Sequence, residues 1–169
     1  MIKLLTILLF MTSLLSAETT EVKPFNAQPF YSMNYDKNTT GLVRHLKVYK
    51  EPRWVAKIKV RNGKTIFFSS PKSMFEFYHR PGKWFNVGVK SERDFSEIVV
   101  TDYETLKAIN AETAFFVYGS RATSPSGDDL VALSTKEAAE KFSNKYSGKR
   151  IFKFDEVPDA LIRLLNGRI

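Results

Sequence analysis

From Gly41 onward the hydrophobic and polar positions fall into regular periods. WVAKIKV (Trp54–Val60) alternates large apolar with polar side chains, the period of two expected of a strand with one face in a core. RNGK follows, and Asn62-Gly63 suits the positive φ angles of a type I′ hairpin turn before TIFFSS returns as a second strand. Ser70 can then cap a helix, Pro71 fits its first turn, and Met74, Phe75, Phe77 and Tyr78 give that amphipathic helix an apolar face. SEIVVTDY (Ser96–Tyr103) reads as a third strand.

The same order recurs in the second half. TAFFVYGS and LVALS read as strands, TKEAAEKFSNKYSGK as a helix opened by a capping box at Ser134 to Glu137 and closed at Gly148, and RIFKFDEV as a strand. PDALIRLLNG adds a terminal helix with Leu161, Ile162, Leu164 and Leu165 available for docking. The expected fold class is α+β: two similar strand-strand-helix-strand lobes, about 41–103 and 111–157, plus a C-terminal helix over 158–169. Residues 18–40 show neither period and are read as an irregular N-terminal arm whose aromatics pack on the domain.

The first 17 residues, MIKLLTILLFMTSLLSA, have one Lys, a short apolar run and a small-residue site at Ala17, the layout of a secretory signal. Export to the periplasm is the expectation, with no membrane span in the mature chain. The formal net charge is +8, or +7 once Lys3 is removed with the signal, and the basic residues are scattered rather than gathered. Together with export, that argues against a nucleic-acid partner. The chain has no cysteine, which excludes disulfides, a lipid-modified N-terminal cysteine and thiolate chemistry.

Catalytic chemistry finds little support. Only His45 and His79 are present, neither in a catalytic motif, and the loop TSPSGDDL has a single Gly and no Gly-Lys-Ser or Gly-Lys-Thr, so it is no phosphate cradle. In the loop SPSGDDL, Asp128 and Asp129 could pair as acid and base, a weak hydrolase reading against the plainer one of solvated loop acids.

Five ordered blocks carry a resemblance: EPRWVAKI, FFSSPKSMFEFY, IVVTDYETLKAINAETAFFVYGS, SPSGDDLVAL and GKRIFKFDEV. They span about Lys50 to Val157 and resemble the NosL family of nitrous oxide reductase accessory proteins. The resemblance implies an exported, monomeric, two-lobed α+β carrier that is not an enzyme, that binds one Cu(I), and that has nitrous oxide reductase or its maturation machinery as partner. In that family, soft ligands stand in a Cys-x-x-Cys-Gly-Met-like segment before Pro-x-Trp and in a Gly-Pro-Met-Gly segment of the second lobe. Here Leu46 falls at the first methionine position and Ser126 at the second. Cu(I) prefers thiolate, thioether and imidazole, so the metal site is altered or lost. His45, one position before Leu46, and Met33, in the arm, are the candidate replacements, each also readable as a surface or packing residue. Met74 fits core filling, and His79 fits a cationic cap at the negative end of its helix. The competing reading is a metal-free interaction module, which would present apolar surface between the lobes lined by Trp54, Phe68, Tyr103 or Phe116.

Overall fold

The computed structural model describes residues 30–168. The expected signal over 1–17 and the arm up to residue 29 lie outside the described residues. Among the described residues seven strands and three α-helices are formed: β1 (Ala56–Val60), β2 (Thr65–Phe68), α1 (Pro71–His79), β3 (Phe95–Thr101), β4 (Ala108–Asn110), β5 (Phe115–Ser124), β6 (Gly127–Leu133), α2 (Lys136–Tyr146), β7 (Arg150–Lys153) and α3 (Asp159–Leu165). The strands make two antiparallel sheets, ordered β2-β1-β3-β4 and β6-β5-β7. The fold is therefore α+β, with strand-strand-helix-strand order in each half, the first extended by the edge strand β4, and α3 at the end.

One core joins the two sheets. Ile58, Phe68 and Val100 from the first meet Phe116, Leu130 and Phe152 from the second, with Met74, Phe75 and Phe77 of α1 in the same cluster. Full burial of each such aromatic is worth about 1.5–3 kcal/mol. The opposite face of the second sheet, with Val117 and Val131, packs against Ala139 and Phe142 of α2 in a smaller cluster.

The arm covers the opposite face of the first sheet. Phe67, Lys57, Val99 and Asn110 stand opposite one another across the four strands. Tyr35 lies edge-on against Phe67, with ring centroids 6.1 Å apart, and the Tyr31 hydroxyl accepts from Asn110 Nδ2 at 3.2 Å. Four extended residues reach roughly 13 Å and three strand spacings span roughly 14 Å. The segment between these tyrosines is thus anchored at both edge strands of the sheet, β2 and β4.

Local chemistry departs from the sequence expectation at three points. The β1–β2 turn is not type I′: Gly63 N–H donates to Val60 O, Val60 N–H to Lys64 O, and only Gly63 has positive φ, which is a three-residue loop with a bulge. Thr135, not Ser134, caps α2, its hydroxyl accepting from Ala138 N–H. The left-handed residue closing α2 is Ser147, whereas Gly148 is needed for close approach, since a Cβ there would stand 2.5 Å from Val117 Cγ1 and 2.6 Å from Ser143 Oγ.

Gly148→Ala should lower stability by about 1–3 kcal/mol through overpacking of the α2–β5 contact, read as a shift of the urea midpoint with an unchanged m-value. Gly63→Ala adds no clash and should cost only its left-handed backbone, about 1 kcal/mol.

Candidate functional site

The first seven residues of α1 are covered on every side. Pro71 to Phe77 are all buried, because β1, β2, β6 and α3 pack around them. The polar residues Lys72, Ser73 and Glu76 are therefore enclosed too and must find partners inside the protein.

Each half of the chain supplies a buried aspartate to the other half's helix entry. Asp129 at the start of β6 accepts from Lys72 N–H (2.7 Å) and Leu130 N–H (2.8 Å) through Oδ1, and from Ser124 Oγ (2.7 Å) through Oδ2. It thereby satisfies a free N–H in the first turn of α1. Asp102, just after β3, accepts from Thr105 N–H (2.9 Å) and from Ser134 N–H (2.8 Å), the residue that leads into α2. Burial raises the Asp129 pKa, against the opposing bonds from Ser70, Leu130, Ser124 and Lys72. Burial also pushes Asp102 upward, but the donors from Thr105 and Ser134 prevail and its pKa is lowered.

Glu76 sits at the centre of an ionic cluster. Arg168 NH1 lies 2.6 Å from Oε1, Lys83 Nζ 3.3 Å from Oε1, Arg44 NH2 3.7 Å from Oε2, and Asn166 Nδ2 donates to Oε2 at 2.9 Å. Arg44 also donates to Asn166 Oδ1. Burial opposes ionisation of Glu76, yet the bonds and charges of Arg168 and Lys83 outweigh it and hold the pKa low.

Beside this cluster opens a cleft of about 270 Å³, lined by Arg44, Leu46, Lys72, Pro125, Ser126, Leu165 and Asn166. Three segments bring these residues together. The chain reverses at Gly41 to Leu46, with Gly41 N–H donating to Leu46 O and His45 N–H to Gly41 O; the β5–β6 hairpin turns at Pro125-Ser126; and the C-terminal end of α3 closes the third side. Lys72 Nζ donates to Ser126 O (2.8 Å) and Leu165 O (3.3 Å), which ties α1 to the hairpin and to α3. Leu46 and Ser126, eighty residues apart in sequence, thus line one cleft.

The other residues singled out by the sequence lie elsewhere. His45 is exposed in the Gly41–Leu46 turn, with φ 54. Met33 is half-buried in the arm, midway in sequence between Tyr31 and Tyr35. Met74 is enclosed in the core. His79 is not an exposed cationic cap: it stacks on Phe75 at 6.0 Å, its Nε2 is enclosed without a partner, and burial lowers its pKa, favouring the neutral ring. Asp128 is exposed and Asp129 buried, as adjacent strand residues on opposite faces must be, so they form no acid–base pair. Trp54, Phe68 and Phe116 are core residues, not an apolar docking face, and Tyr103 packs on Trp54 and Phe142. The sequence reading missed Lys72, Arg44, Glu76 and Asn166. One signal was available: a lysine in the first turn of a helix opposes the helix dipole and calls for a special environment.

No group of three or more His, Asp or Glu among the described residues is placed to hold a metal. The donor set in the cleft does not suit Cu(I) either: a hydroxyl and an alkyl group stand with an ammonium and a guanidinium that repel cations.

The fold is an α+β arrangement of two antiparallel sheets, with a cleft among the Gly41–Leu46 turn, α1, the β5–β6 turn and the end of α3. The chain belongs to the NosL family, whose family model matches residues 32–162. Among solved structures, the copper chaperone NosL from Shewanella denitrificans shares the fold at a TM-score of 0.67, with 24% identity over 79% of this chain and 99% of that one. The apo-NosL protein from Achromobacter cycloclastes, solved by solution NMR, matches at a TM-score of 0.46, with 21% identity over 63% of this chain and 87% of that one. A search of curated proteins finds no match.

Asp129→Ala should cost about 2–4 kcal/mol, since it leaves buried N–H donors without acceptors, whereas Asp129→Asn keeps the main acceptor and should stay within about 1 kcal/mol of the parent. The pKa of Asp129 is raised in the fold, so its contribution is full below the unfolded carboxyl value near 3.9 and falls as pH rises through the folded value. The stability difference of Asp129→Asn from the parent should therefore move in the variant's favour as pH rises from 4 to 7, measured by urea unfolding. Glu76→Gln should show the opposite trend. Its folded pKa is lowered, so the loss should be largest above the unfolded value near 4.3 and shrink as pH falls through the folded one.

Proposed function

We propose that this chain is an exported, periplasmic accessory protein in the maturation of nitrous oxide reductase, acting as a monomer without catalysis of its own, and that the Cu(I) site expected between Leu46 and Ser126 has been lost. Family membership supports the accessory role. The observation that carries the second part is the lining of the cleft: the two positions where thioethers are expected converge there, and what faces them is Lys72 and Arg44. What copper the chain handles is then held weakly by the exposed His45 imidazole and the half-buried Met33 thioether. The same cationic lining favours a second reading, a metal-free module that holds a partner through this scaffold.

Titration with Cu(I) against a competing chelator separates these readings. Weak binding that disappears in a His45→Ala, Met33→Leu variant supports residual carriage, and no binding by the parent selects the metal-free module. Restoring sulfur to the cleft with Leu46→Met, Ser126→Met and Lys72→Met should raise Cu(I) affinity about tenfold or more, about 1.4 kcal/mol. Tight one-to-one binding by the parent that survives loss of both His45 and Met33 would overturn the proposal.

A further inference from the structure

We propose that the cleft between α1, the β5–β6 turn and α3 binds a small oxyanion, a carboxylate or phosphate group, through Lys72 Nζ, Arg44 Nε and Ser126 Oγ. The inference goes beyond the accessory role and holds whether or not the chain contacts copper.

Four observations carry it. First, Lys72 is 1% exposed, and its ammonium meets two carbonyl oxygens but forms no ion pair with any described residue. A buried ammonium bonded only to neutral acceptors keeps one N–H and most of its charge uncompensated, which is costly unless an anion completes the site. Second, two residues that line the same cleft, Arg44 and Ser126, each carry an enclosed donor, Nε and Oγ, with no partner among the described residues.

Third, the local charges do not balance. Arg44, Lys83 and Arg168 share the single carboxylate of Glu76, and Lys72 adds a fourth cation. Asp129 attracts Lys72 but makes no ion pair with its ammonium, because the Asp129 oxygens are taken by Lys72 N–H, Leu130 N–H and Ser124 Oγ. Asp128 is exposed to solvent, where its charge is screened. Fourth, the volume of about 270 Å³ suits a carboxylate or phosphate with a few waters rather than a large cofactor.

The shared chemistry has two sources, a free ion or an acidic side chain presented by a docked protein. The test uses the whole mature chain at constant ionic strength, titrated with phosphate, with acetate and with a blocked glutamate-containing peptide, against chloride as control. Amide shifts at Lys72, Ser126 and Gly127 and the lysine ammonium signal are followed by NMR. Saturable shifts with phosphate or acetate mark a free-ion site, and tighter saturation by the peptide marks a docking site for acidic side chains; both support the proposal. Lys72→Met should weaken binding about tenfold or more, as expected for loss of a charged hydrogen bond. Ser126→Ala, whose hydroxyl holds no partner, should keep the fold and weaken binding about threefold, the scale of a neutral hydrogen bond. Absence of saturable shifts with all three probes, or affinity unchanged in Ser126→Ala and in a folded Lys72→Met, would overturn it.

Discussion

The enclosure of α1 from Pro71 to Phe77 is the constraint from which the rest of the structure follows. Packed against β1, β2, β6 and α3, those seven residues have no solvated face. Their polar side chains must be bonded internally, and buried polar groups tolerate few arrangements. Glu76 gathers Arg168, Lys83, Arg44 and Asn166, while Asp129 reaches from the second sheet to the first turn of the helix. These contacts join residues far apart in sequence, so they fix the two halves of the chain against each other as well as satisfying the helix. Asp102 does the same in the other direction at the entry to α2.

The cleft is a product of that enclosure. Lys72 leaves the helix beside Asp129, ties the β5–β6 turn to α3 through two carbonyl oxygens, and turns its charge toward Leu46 and Ser126. With a leucine, a serine and a lysine in its lining, the cleft presents no sulfur donor among the described residues. Sulfur would favour a soft cation, whereas ammonium, guanidinium and hydroxyl favour an oxyanion.

Much of the fold was legible in local patterns. The alternation in Ala56–Val60, Ser70 with Pro71 at the start of α1, and the glycine-marked turns are read from neighbouring residues, and the structure places elements there. What failed was set by tertiary contacts. Gly148 reads as a helix stop but serves a close approach to Val117, and His79 reads as a surface cation but stacks in a half-buried position on Phe75. The pair Asp128-Asp129 reads as one acidic loop and becomes one exposed and one buried strand residue. The cleft itself was half legible: Leu46 and Ser126 were marked by the resemblance, but Lys72, Arg44 and Asn166 join them only through the packing of α1 and α3.

The central claim is that the cleft between Leu46 and Ser126 rejects a soft cation and accepts an anion. Crystals of the mature protein soaked under reducing conditions with Cu(I), and collected at the copper absorption edge, test it most directly. The account predicts no anomalous peak in the cleft, with any copper at His45 or Met33. An ordered copper ion coordinated among Leu46, Lys72 and Ser126 would contradict it.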